Sequence, residues 1–158
     1  MTNLGMSRRN FGALACLFAA AGVQEVANAQ ATTSLSPQTV ALIRKHYAAW
    51  DQKDWHTEDM LLADDFTFSS PAGDDHISKG KFKTRCWDSN VNDIRHFDLV
   101  HIFGSGDEAM VMYDCVTMDN KTLRNVEYLR FKNGKLETIE CYFGAPSNYP
   151  AAVSARKG

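Results

Sequence analysis

The stretch AMVMYDCVTMDNKTLRNVEYLRFKNGKLETIECYF, Ala109–Phe143, decides the fold. Its Lys132-Asn133-Gly134-Lys135 segment predicts a two-residue type I′ hairpin, because Asn-Gly supplies both positive-φ positions that such a turn needs. Extending the ladder from Lys132 opposite Lys135 sets Phe131 by Leu136, Leu129 by Thr138, Glu127 by Glu140 and Asn125 by Tyr142, all on one side of a sheet. A two- or four-residue loop at Asp119 to Lys121 would bring Met110, Met112, Asp114, Val116 and Met118 to that same side. Val111, Tyr113, Cys115 and Thr117 would then take the other. On this reading Asp114, Glu127 and Glu140 stand among methionines, leucines and a phenylalanine. An unpaired charge is costly there, so each acid needs a partner or a proton.

Outward from this segment, the pattern from Ile94 onward predicts a continuous antiparallel meander over roughly 94–103, 109–118, 122–132 and 135–143. Upstream lie helices. Ser36-Pro37 opens the first, with Ser36 at the N-cap and Pro37 where its missing N–H costs nothing, and Val40, Ile43, Tyr47 and Trp50 form its apolar face. Asp54 caps a short second helix with Trp55, Met60 and Leu61 on its apolar side. Phe66 to Ser70 alternates as a strand and stops at Pro71, Ala72 to Asp75 reads as loop, and Ser78 to Trp87 as a third helix weakened by Gly80. Helices first and a meander afterwards give an α+β domain with the helices covering one face of the sheet.

A chain of 158 residues, 44% hydrophobic and 23% charged with a net charge of -2, is ordinary globular material. It offers no basic field, so no nucleic-acid partner is expected. The first residues read as an export signal: Ser7-Arg8-Arg9-Asn10-Phe11 is a twin-arginine motif, Gly12 to Val23 an apolar region, and Ala27-Asn28-Ala29 an A-x-A cleavage site. About twelve apolar residues are too few to cross a bilayer core that needs roughly twenty, so a membrane anchor is the weaker reading. The expected organisation is a signal peptide at 1–29, a linker at 30–35, a domain at 36–144 and an irregular tail at 145–158, in which Tyr149 could close over an opening. The expected location is periplasmic or secreted, with no membrane contact after cleavage. Cys86, Cys115 and Cys141 remain in the mature chain. Cys115 and Cys141 lie roughly 10 Å apart across two strand spacings, so buried free thiols are expected rather than a bridge.

The run His46-Tyr47-Ala48-Ala49-Trp50-Asp51, followed by Leu62-Ala63-Asp64-Asp65-Phe66-Thr67-Phe68, then Arg130 to Lys135 with Tyr142-Phe143-Gly144, resembles the SnoaL-like, or polyketide cyclase-like, branch of the nuclear transport factor 2-like superfamily. The resemblance spans Val40 to Gly144. It implies a cone-shaped α+β fold in which a strongly curved mixed sheet wraps the N-terminal helices and encloses a pocket, often in a homodimer. Polyketide cyclases, ketosteroid isomerases, epoxide hydrolases and dehydratases share that fold, which alone does not settle function. Aligned through Asp51, Asp54 and Asp64-Asp65, the isomerase's catalytic aspartate falls on Ser70 before Pro71, and its oxyanion-binding tyrosine falls on His46. Tyr47 sits one helical position, about 100°, away.

What survives is an acid on a strand facing an apolar pocket, a role that Asp114 fits. His101 shares a face with Phe97, Leu99 and Phe103, and a two-residue turn would set it opposite Met112 and diagonal to Asp114. A His101–Asp114 dyad is the catalytic expectation, and a half-buried sheet histidine is its plain alternative. His46, Trp50, Phe68, Ser70, Trp87, Asn125, Glu127, Glu140 and Tyr142 are the expected ligand-binding residues, with aromatic walls suited to a flat molecule. Asp74-Asp75-His76 could present ligands from a loop or simply be solvated. No metal and no organic cofactor is expected, since neither ligand spacing nor a Gly-rich loop occurs. The expected function is a small-molecule pocket with acid/base isomerase, cyclase, hydratase or dehydratase chemistry on a carbonyl or aromatic compound. The alternative is a non-catalytic ligand-binding or assembly domain.

Overall fold

The computed structural model describes residues 34–143, so the leader, Cys16 and the tail with Tyr149 lie outside the described residues. Helix α1 (Pro37–Gln52) starts where Ser36 Oγ accepts from Thr39 N at 3.0 Å and ends where Lys53 turns left-handed at φ 58°. Asp54 accepts from Thr57 N at 3.0 Å and opens α2 (Trp55–Leu61). Met60, expected to face inward, is 59% exposed, and Glu58 takes the buried position instead. Strands β1 (Leu62–Ser70) and β2 (Asp74–Ser78) form an antiparallel pair. β2 occupies part of the region expected to be loop; its run of polar residues hides a five-residue edge strand. The expected third helix is broken into α3 (Lys79–Phe82), a π-helical turn (Lys83–Trp87) and α4 (Asp88–Asn90).

The meander comes next as β3 (Ile94–Ser105), β4 (Glu108–Thr117), β5 (Thr122–Lys132) and β6 (Lys135–Phe143). The six strands form one open, curved sheet in the order β2-β1-β6-β5-β4-β3, antiparallel except where β1 runs parallel to β6. The mixed α+β architecture is therefore the expected one. Ile43 of α1 packs with Leu62, Phe66, Val111, Leu129, Leu136 and Ile139 of the inner face, all almost fully buried. The Asp51 carboxylate accepts from Phe97 N at 2.9 Å and pins the end of α1 to β3.

Three one-residue irregularities decide which side chains face inward. The Asn133-Gly134 turn forms as expected, with φ 52° and 73°, and Lys132 pairs with Lys135 and Phe131 with Leu136. Arg130 then pairs with Thr138, so Glu137 is an extra residue and the ladder beyond it is offset by one. Glu127 consequently faces Cys141, and Tyr128 faces Glu140. The loop between β4 and β5 is closed by Thr117 N donating to Lys121 O at 2.9 Å, leaving three residues, Met118 to Asn120, with Asn120 left-handed at φ 61°. An odd loop reverses the parity expected from an even one: Val111 pairs with Glu127 and Tyr113 with Asn125. On β3 the register skips Val100, so Leu99 pairs with Tyr113 but His101 with Met112.

Candidate functional site

The concave side of the sheet, roofed by α1 and the helical segment at 79–90, encloses a cleft of about 430 Å³. Its walls are apolar and aromatic, supplied by Trp50 of α1, Phe82 of α3, Phe68 of β1, Phe97 of β3, Ile139 of β6 and Leu123 of β5. Trp50 and Phe97 meet edge to face at 6.2 Å between ring centroids.

Glu127 is the carboxylate in this wall, 8% exposed. Tyr47 Oη donates to its Oε2 at 2.6 Å and Tyr113 Oη to its Oε1 at 2.9 Å. The two hydroxyls stabilise a charge that would be expensive to bury alone. Burial raises the pKa of both phenols, and the Glu127 charge raises it further, so both stay protonated donors at neutral pH. Tyr113 Oη also lies 3.6 Å from Cys141 Sγ.

Behind Tyr47, His46 Nδ1 lies 2.8 and 2.9 Å from the two oxygens of Glu58, both residues buried. Burial works against the imidazolium, but the Glu58 carboxylate, with a smaller contribution from Glu127, outweighs it and raises the His46 pKa above its ordinary 6.5. Adjacent positions on α1 thus serve different partners. His46 turns to α2 and Tyr47 to the sheet, since α1 is buried on both sides.

At another part of the cleft, the carboxylate of Asp74 accepts from Ser70 Oγ at 2.9 Å and lies 2.8 Å from Arg85 Nη2. Arg85 and Cys86 come from the π-helical turn, a feature frequent at functional sites. Cys86, Cys115 and Cys141 are free thiols, and all three line the cleft. Burial pushes Cys86 up to about 12 and Cys115 up to about 11, so they stay protonated at neutral pH.

Of the expected residues, His46, Trp50, Phe68, Ser70, Asn125 and Glu127 are brought together in this cleft. Trp87 is buried beside it, 4.3 Å from Trp50 between centroids. The other placements are corrected. Asp114 is on the outer face, where Arg124 Nε and Nη2 bind its two oxygens at 2.8 and 2.7 Å, and that fork holds its carboxyl below the usual range. His101 is exposed beside Phe103 on the same outer face, because the bulge at Val100 separates them from Phe97 and Leu99. No His101–Asp114 dyad forms in the cleft. Glu140 and Tyr142 also face outward, Tyr142 Oη donating to Glu140 at 2.6 Å, because of the offset at Glu137. Of the acidic loop run, Asp74 enters the cleft, whereas Asp75 and His76 pair with each other in solvent.

The sequence reading missed Tyr47 and Tyr113, the partners of Glu127, and Glu58, the partner of His46. One signal was available: Asn120 in the loop Thr117-Met118-Asp119-Asn120-Lys121 fits the left-handed position of a three-residue hairpin, and that loop turns Tyr113 inward.

The model of the SnoaL-like domain family matches residues 43–139. The chain belongs to the SnoaL-like domain family. That match takes in the cleft residues from His46 to Ile139 and stops before Cys141 and Phe143. No curated protein matches the chain. Among solved structures, a protein from Kribbella flavida is 19% identical, with 78% of this chain and 100% of that one covered at a TM-score of 0.64. A candidate ketosteroid isomerase from the same organism is 20% identical, covering 72% and 86% at a TM-score of 0.59. An NTF2-like protein from Cytophaga hutchinsonii is 18% identical, covering 72% and 94% at 0.55. At these identities the likeness is one of fold, and the fold is NTF2-like.

Proposed function

We propose that this SnoaL-like domain binds a small, flat, largely apolar molecule in its cleft and that Glu127 exchanges a proton with it, as an isomerase or cyclase does. The observation that carries the reading is a buried carboxylate presented to an aromatic-walled cleft and held by two hydroxyls that stay protonated. Such a carboxylate can take a proton from carbon next to a carbonyl, the electron pair moving onto the carbonyl oxygen. A protonated Glu127 needs fewer donors. Tyr113 or Tyr47 is then free to turn its O–H toward the oxygen that has gained charge, and return of the proton to a different carbon completes an isomerisation.

The test does not depend on the natural substrate being identified. Wild-type protein is incubated with a panel of cyclic ketones in deuterated water, and exchange at carbon is followed by mass spectrometry. Catalysed exchange that falls by roughly two to four orders of magnitude in Glu127→Gln supports the assignment. Absence of catalysed exchange, or equal exchange in the variant, sinks it. A second reading, a domain that only holds its ligand, is favoured by the fact that both Glu127 oxygens already have tyrosine partners. In that case Glu127→Gln alters affinity alone.

We also propose that the domain works outside the cytoplasm, reached by the twin-arginine route, and that it does so as a homodimer. The ordered Arg8-Arg9, apolar and Ala27-Asn28-Ala29 segments support export, and the family resemblance supports the dimer.

A further inference from the structure

We propose that the cleft selects an uncharged ligand bearing hydroxyl donors, one bound by Asn125 Oδ1 and another by Asp74 Oδ1. This deepens the small-molecule reading above and rests on it. Among the described residues, two buried side-chain oxygens accept no aligned hydrogen bond: Asn125 Oδ1, and Asp74 Oδ1, whose neighbour is the Arg85 guanidinium. Both residues line this one cleft. Both atoms are acceptors, so the complement they call for is a donor.

The orientation of Asn125 is set by its neighbours. Tyr113 Oη gives its proton to Glu127, so the phenol oxygen can only accept, and the Asn125 amide beside it acts on the phenol's pKa in the downward sense of a donor. The amide nitrogen is therefore the atom turned to Tyr113, which leaves the amide oxygen for a ligand. Asp74 is 8% exposed, and its Oδ2 takes the Ser70 hydroxyl at 2.9 Å. Its Oδ1 lies 2.8 Å from Arg85 Nη2, an ion pair that is not aligned as a hydrogen bond. The two posts stand on β5 and β2, three strand steps apart in the sheet order, roughly 14 Å between backbones before the side chains narrow the gap. A fused-ring compound with a hydroxyl at each end spans such a gap.

Charge narrows the class further. A carboxylate would meet acceptor oxygens and the Glu127 anion. An ammonium would find Asp74 already paired with Arg85 and both Glu127 oxygens already taken by Tyr47 and Tyr113. A neutral hydroxyl offends neither, and one bound at Asn125 lies on the strand that carries Glu127, beside the Tyr113–Glu127 hydrogen bond.

The test is isothermal titration of the protein with dihydroxynaphthalene, dimethoxynaphthalene, naphthoate and aminomethylnaphthalene, with NMR shift changes locating each in the cleft. The expected result is that the dihydroxy compound binds at least about tenfold tighter than the dimethoxy one, which has the same rings and no donor. Asn125→Leu, checked for folding by circular dichroism, should shrink that preference. If the variant does not fold, the comparison among ligands on wild type decides alone. Equal affinity for dihydroxy and dimethoxy compounds overturns the donor proposal and leaves the small-molecule cleft standing. Tightest binding of naphthoate or of the amine also overturns it. Binding of none of the four in the cleft removes both readings.

Discussion

The rings of Tyr47 and Tyr113 lie 5.2 Å apart, one on a helix and one on a strand, and their hydroxyls take the two oxygens of a single carboxylate. Helix α1 is thus bound to the sheet through Glu127. Tyr113→Phe and Tyr47→Phe each keep the ring and remove one donor, leaving a buried charge undersolvated. Each should cost about 1–3 kcal/mol in urea unfolding, and the double variant more than either alone. Unchanged midpoints would mean that Glu127 is not held as a carboxylate.

The His46–Glu58 pair sets a pH dependence. The folded-state pKa of His46 is raised above 6.5, so its contribution to stability is complete below that value and is lost as pH rises through the folded value. Denaturation midpoints measured from mildly acidic to alkaline pH should fall across that window in wild type. In His46→Gln, which keeps a donor for Glu58, that fall should vanish.

Backbone approach makes Gly104 indispensable. A Cβ there would lie 2.1 Å from the Glu108 carbonyl oxygen in the β3–β4 pair. Gly104→Ala should therefore destabilise by about 1–3 kcal/mol, read from thermal or urea unfolding, with the β3–β4 turn displaced.

Asp114→Asn is the control for the cleft. Its side chain is paired with Arg124 on the outer face, so the substitution should leave ligand affinity and catalysed exchange as in wild type. A large loss of exchange would return the chemistry to the outer face.

The helix caps, the Asn133-Gly134 turn, the four meander strands and the α+β class were all legible, because each rests on local chemistry: Ser36, Pro37 and Asp54 at helix starts, positive φ at the turn, alternation along the strands. The faces were not. Alternation has a period of two, so a single residue at Val100, in the Met118–Asn120 loop or at Glu137 reverses every side chain beyond it. Glu127 was found because it lies on the strand from which the parity was counted, whereas Asp114, His101, Glu140 and Tyr142 each lie beyond one of these steps. The buried Glu58 was hidden differently: a charged residue in a short helix reads as solvated until its partner His46 is in view.

The π-helical turn at Lys83–Trp87 is in effect an α-helix carrying one residue too many. Removing one residue there would restore regular winding and rotate the neighbouring helical residues by about 100°. Arg85 and Cys86 would change direction while every strand kept its register. The cleft's rim chemistry can therefore be rewritten by a change of length in one surface helix, so homologues that differ by a single codon at this point should differ in what they admit rather than in whether they fold.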